Sequence, residues 1–217
     1  MAEITNSVLG LVTGKISTLV FRKMNGKNFV SVRPKKYKPG KSAVVIQSRS
    51  NFAAVINFAK NINSVQGIKE IWTNAKIKGT NSFQKIIKNN LKLVNQGTLT
   101  TANKITPDGL FLKLNSASIN DSTLSLTLYF PGSINVRMPV HLFVVFYFKS
   151  YKNCILCQTV NPGAPSPDGI YDLNIMLSKE ILRALDMDPE PVIYLALSGS
   201  VPYRRKVYWS GTVSKQI

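Results

Sequence analysis

Asn25-Gly26, set between two runs of strand-forming residues, constrains this chain more than any other dipeptide in it. Asn-Gly supplies both φ > 0 positions of a type I′ turn, whose twist matches the flanking strands of a hairpin. With those two residues as the loop, Met24 faces Lys27, Arg22 faces Phe29, Val20 faces Ser31 and Thr18 faces Arg33. The alternate pairs are Lys23 with Asn28, Phe21 with Val30 and Leu19 with Val32. Side chains alternate along a strand, so Leu19, Phe21, Val30 and Val32 share a packing face. The opposite face carries Arg22, Lys27 and Arg33 beside Phe29. Beyond Arg33 the chain runs PKKYKPGK, and the prolines at 34 and 39 favour an extended, unpaired backbone. An apolar underside, a basic-aromatic top and a basic arm point to a phosphate-rich partner.

The charge distribution agrees. The formal net charge is +18 over 217 residues, more than solubility requires. Residues 1–95 hold 17 Lys and Arg against 2 acids, whereas residues 96–217 hold 11 against 8. The electrostatic work therefore belongs to the front of the chain. With 44% hydrophobic residues, the chain has enough apolar material for a core.

Residues 4–13 are apolar with two breaks and fit either a short helix or an edge strand. Three helices are expected after the basic arm. In 42–63, Val45, Phe52, Val55, Ile56, Ala59 and Ile62 recur at helical spacing, with Ser42 or Ser48 as caps. A second helix, over 65–75, has Ser64 as cap and Ile68, Ile71 and Trp72 as its apolar side. The third starts at Thr80 and buries Phe83, Ile86, Ile87, Leu91 and Val94, with Gly97 just past its end as a C′ glycine. Lys85, Lys88 and Lys92 form a stripe on its other side, either a solvated face or a second cationic contact.

From Gly97 the character changes, and the polar, turn-rich 98–108 reads as a domain boundary. Seven short β runs follow, over 110–114, 123–130, 140–149, 154–160, 170–176, 192–198 and 207–213. Leu124, Leu126, Leu128 and Phe130 alternate as in a half-buried strand, while 140–148 is apolar throughout, as in a central one. Ser178 caps a short helix over 178–185. The expected class is α+β: an N-terminal β-hairpin plus a helical region over 1–97, then an immunoglobulin- or fibronectin-like antiparallel β-sandwich over 98–217.

No catalytic constellation is present. His141 is the one histidine and sits in a hydrophobic strand; a satisfied or edge-exposed role suits it better than a triad. Cys154 and Cys157 form C-x-x-C within a strand, where i and i+3 point to opposite faces, so buried reduced thiols are expected. With these two thiols and one histidine, no zinc site is expected, and DMDPEP at 186–191 lacks calcium-loop spacing and reads as a solvated turn. Neither an enzyme nor a cofactor is expected. The longest apolar run, 140–148, falls short of the ~20 residues of a membrane helix. No secretory leader is evident at 4–12, so a cytoplasmic protein, or one inside an assembled particle, is expected with no membrane partner.

G-K-x-S-x-L-V-F-R-K-x-N-G-K at 14–27, V-R-P-K at 32–35 and R-S-N-F-A at 49–53 together resemble an uncharacterised family of short basic bacterial proteins. The resemblance spans nearly the whole length and implies the two-part layout with a C-terminal β domain. It implies nothing about chemistry.

The expected function is non-enzymatic nucleic-acid binding, DNA or RNA, with weak sequence preference. The candidate contacts are Arg22, Lys23, Lys27, Phe29, Arg33, Lys35, Lys36, Tyr37, Lys38, Lys41, Lys85, Lys88 and Lys92. The alternative is a structural or assembly protein of a phage particle or other large complex. Its arm would contact neighbours or packaged nucleic acid, with protein partners or self-assembly.

Overall fold

The structure is a computed structural model that describes residues 2–4, 14–24, 26–33, 40–131, 140–151, 153–164, 166–201 and 206–217. It falls into two compact units, Met1–Ser42 and Ala43–Ile217. It is an α+β protein whose strand pairs in all three sheets are antiparallel.

The first unit is one four-stranded sheet in the order β1 (Ala2–Ile4), β4 (Lys27–Val32), β3 (Leu19–Met24), β2 (Gly14–Ile16). The β3–β4 hairpin has the register that an Asn-Gly loop dictates: Met24 opposite Lys27, Arg22 opposite Phe29 and Leu19 opposite Val32. Gly26 has φ +81°, as the turn requires; Asn25 lies outside the described residues. A second tight hairpin joins β2 to β3 with Ile16 opposite Leu19, and Ser17 takes the positive φ. Residues 2–4 form an edge strand on β4; of the 4–13 stretch, where helix and strand were both open, only Ile4 lies within the described residues.

The second unit has three layers. Its middle is a five-stranded sheet, in which β8 (Cys154–Val160), β7 (Val140–Phe148) and β10 (Val192–Val201) lie side by side. The far edge of β10 is shared end to end by β11 (Lys206–Trp209) and β12 (Val213–Gln216). One outer layer is a three-stranded sheet, β5 (Lys113–Asn120), β6 (Thr123–Tyr129) and β9 (Ile170–Met176), in the order β5-β6-β9. The other is helical: α1 (Ala43–Ser64), α2 (Gln66–Asn74) and α3 (Ser82–Asn90), with a 3-10 turn at Leu91–Leu93.

β7 explains this layering. Its apolar run is continuous from Leu142 to Phe148 because both faces are buried there, while His141 is exposed. Leu142, Val144, Phe146 and Phe148 meet Leu124, Leu126, Leu128, Ile193, Leu195 and Leu197 in the core between the sheets. Phe143, Val145 and Tyr147, one residue out of phase, meet Phe58, Ile62, Ile71, Trp72 and Ile86 under the helices. The short helix α4 (Lys179–Met187) closes the sheet-on-sheet core with Ile181 and Ala184. Ser178 Oγ caps it by accepting from Ile181 N at 3.3 Å.

Several expectations are corrected. The division falls at 42/43 instead of 97/98, because the helices share a core with the central sheet. Residues 98–108 are polar because they are pinned, not because they link domains. Thr212 Oγ1 accepts from Ile105 N and Thr106 N, each at 3.0 Å, Trp72 donates to Ile105 O at 2.8 Å, and Tyr194 donates to Thr100 O at 2.7 Å. The cap of α3 is Asn81, whose Oδ1 accepts from Gln84 N at 2.9 Å, and not Thr80. That of α2 is Val65 rather than Ser64, with no side-chain hydrogen bond. Gly97 serves a tight turn with Gln96, both at positive φ, between the paired Asn95 and Thr98. The run at 110–114 is largely loop before β5, and 207–213 is two strands broken at Ser210.

Because one strand feeds both cores, the second unit should unfold as one body. In a Trp209→Phe background, Trp72 emission and far-UV circular dichroism should report the same urea midpoint. Phe146→Ala should lower stability by about 3–5 kcal/mol on both signals together.

Candidate nucleic-acid interface

In the first unit, antiparallel partners share a side of the sheet, so register alone sorts the side chains. Lys15 pairs with Val20 and Arg22 with Phe29, and Lys27 pairs with Met24, placing Lys15, Arg22, Lys27 and Phe29 on one side. Arg33 follows β4 and donates its backbone N–H to Thr18 O at 2.7 Å, which continues the alternation onto that same side. Lys15, Arg22, Lys27 and Arg33 are exposed and Phe29 is half-buried. The other side carries Ile16, Leu19, Phe21, Val30 and Val32.

Lys15 was missed from sequence. Its signal is the Ser17-Thr18 turn, which lacks the Asn-Gly that marks the next one. Lys23 does not join the cationic side: its partner is Asn28, and parity puts it with the apolar residues. Lys41 is exposed in the last residues of this unit. Lys35, Lys36, Tyr37 and Lys38 lie outside the described residues.

The lysine stripe of α3 splits. Lys88 and Lys92 are exposed. Lys85 is 8% exposed, so it is no part of a solvated face. Its ammonium donates to Thr73 O at 2.9 Å and Ala75 O at 2.8 Å, satisfying carbonyls at the C-terminal end of α2. A cation there also meets the negative end of the helix dipole. Gly79 leaves room for its stem, since a Cβ at that position would stand 2.8 Å from Lys85 Cγ.

The remaining reactive groups are dispersed. His141 is exposed and borders a cavity of about 370 Å³ with Glu70, Phe143 and Ser198. At the cavity wall Gly67 permits α2 to touch β7, because a Cβ there would stand 2.6 Å from Phe143 Cζ. Cys154 and Cys157 are both free thiols on opposite faces of β8. Burial raises the Cys154 thiol and pushes that of Cys157 up to about 12, although Cys157 as a whole residue is open at the sheet edge. Asp188, read as a solvated turn residue, is instead buried and accepts from Ser150 N at 2.6 Å. Among the described residues no three His, Cys, Asp or Glu side chains gather as metal ligands. No helix among them is long and apolar enough to cross a membrane.

The chain matches no protein-family model and no curated protein sequence.

Two outcomes follow from these placements. Lys85→Ala should destabilise the protein by about 1–3 kcal/mol in urea titrations, because the Thr73 and Ala75 carbonyls lose the ammonium and Ala75 O keeps only Ile77 N. Lys88→Ala and Lys92→Ala should stay within about 0.5 kcal/mol of the parent. Iodoacetamide should alkylate Cys157 at neutral pH at least ~100-fold more slowly than a small-molecule thiol, and faster as pH rises, because only the thiolate reacts.

Proposed function

We propose that the chain is a non-enzymatic nucleic-acid-binding protein of weak sequence preference, acting through the cationic side of its four-stranded sheet. The observation that carries this reading is the register that gathers Lys15, Arg22, Lys27 and Arg33 around Phe29. Cations spaced over a sheet neutralise successive phosphates, and an aromatic face among them stacks on a base or sugar. Beyond Arg33 the sequence adds Lys35, Lys36, Tyr37, Lys38 and Lys41. Phosphate and stacking contacts of this type position the polymer without reading its sequence.

A second reading, a structural or assembly component, is favoured by the sheet's other side. Ile16 is 57% and Val32 70% exposed, an apolar surface that a neighbouring subunit would cover. On this reading the cationic side meets packaged nucleic acid or an adjoining chain.

We also read β5 to β12 as an immunoglobulin-type sandwich. Strands β5, β6 and β9 take the places of A, B and E, and β7, β10 and β11 those of C, F and G, with β8 added beside C. The helical layer is the departure, since it covers a face that such a sandwich leaves open.

The test is fluorescence anisotropy with single-stranded DNA, duplex DNA and single-stranded RNA across a salt series. Log affinity should fall linearly with log salt, and the Arg22→Gln, Lys27→Gln, Arg33→Gln triple variant should flatten the duplex slope by about 2–3. Binding that is indifferent to salt, or absent for all three polymers, rules the reading out. Light scattering on nuclease-treated protein separates the assembly reading, which requires a defined oligomer, from a monomeric binder.

A further inference from the structure

We propose that the exposed side of the α1–α3 layer is a second nucleic-acid-contacting surface, built into the other compact unit. The inference rests on the reading that the chain's partner is a nucleic acid, and it enlarges where that partner is held. Residues 1–42 carry a net +8 and residues 98–217 a net +3; the 55 residues between them carry +7. Glu70 is the single acid of that middle segment, and its Oε1 accepts from Gln66 Nε2 at 2.8 Å.

Packing decides where these charges go. The helices bury Val55, Phe58, Ile62, Ile68, Ile71, Trp72 and Ile86 against the central sheet. Lys85 is withdrawn as the donor to the end of α2. Lys60, Lys69, Lys76, Lys78, Lys88 and Lys92 are all exposed, spread over α1, α2, the α2–α3 connection, α3 and the 3-10 turn after it. Helices in one layer lie ~8–10 Å apart, close enough for cations on adjacent helices to meet one polymer.

Solubility does not account for the pattern. A soluble surface interleaves both signs, and the strand-rich part of this same unit does so, with 11 cations among 8 acids. The helical layer breaks that rule within one folded body. An anionic membrane is the other polyanion to weigh, and a helix lying on one needs exposed Trp, Phe or Leu among its cations. The layer's exposed large apolar side chains are Val44, Ile46 and Phe52 in the first half of α1 and Leu91 beside Lys92; none lies between residues 53 and 90, where Lys60, Lys69, Lys76, Lys78 and Lys88 stand. Lysine ammoniums are point charges suited to phosphates and poorly suited to bidentate base reading. The surface therefore takes the backbone of DNA or RNA, whatever its sequence. Because it shares a chain with the cationic sheet, the two contacts on one polymer reinforce each other through effective concentration.

The test uses the full chain with Lys60→Gln, Lys69→Gln, Lys88→Gln and Lys92→Gln combined, beside the triple sheet variant described above. The probes are a labelled random-sequence oligonucleotide, single-stranded and duplex, and phosphatidylserine vesicles. The quadruple variant should keep its circular dichroism and melting temperature, bind at least ~10-fold more weakly, and lose about 3–4 of the duplex salt slope. A Lys→Glu version of the same set should weaken binding further. Parental affinity and slope in the quadruple variant, with loss in the sheet variant, overturn this surface and leave the sheet reading intact. Loss in the quadruple variant alone keeps the surface and overturns the sheet. Parental binding by both variants, or tighter binding to vesicles than to either oligonucleotide, overturns the proposal.

Discussion

The architecture depends on β7 being covered on both sides from Leu142 to Phe148. Its residues cannot all point to one interior, yet alternation lets all but the exposed His141 serve two, Val140, Leu142, Val144, Phe146 and Phe148 in one and Phe143, Val145 and Tyr147 in the other. A helical layer must therefore be present, because without it Phe143, Val145, Tyr147 and Tyr194 would form an open apolar sheet face. The same demand explains the polar connector at 98–108, whose hydroxyls and amides answer buried donors and acceptors on the sheet and helices. Tyr194 and Trp72 each carry one polar atom into that interior and each finds a backbone carbonyl there.

Local chemistry was the legible part of the sequence. Asn-Gly turn geometry set the register of β3 and β4, Ser178 marked the start of α4, and strict alternation placed Leu124, Leu126, Leu128 and Phe130 inside. The boundary at 97/98 failed because composition changes there while packing does not. A run of Thr and Asn reads as linker until its partners, such as Thr212 more than a hundred residues away, are known. Lys85 failed for a related reason. Its place in an i, i+3, i+7 stripe is correct for an isolated helix, and only the end of α2, packed alongside, turns it inward. Lys23 was a matter of parity: its pairing with Asn28 followed from the turn, and that pairing sets it apart from Arg22 and Lys27.

For the candidate interface, the sequence disclosed the amount of charge and its bias toward the front of the chain. It did not disclose that the bias divides between the sheet of one compact unit and the helical layer of the other. The sheet sorts its cations by the two-residue repeat, leaving an apolar side opposite; the helices sort theirs by the 3.6-residue repeat, leaving theirs against β7 and β10. Two periodicities thus arrive at one electrostatic outcome.

The inward turn of Lys85 also divides the chain's primary amines by their access to solvent. An acylating reagent would reach Lys88 and Lys92 in the folded protein while the Lys85 nitrogen is shielded by the carbonyls of Thr73 and Ala75. That nitrogen becomes available only when α2 and α3 come apart. Its modification therefore keeps a chemical record of each excursion of the helical layer away from its packed state, written on a residue that takes no part in the outward-facing charge.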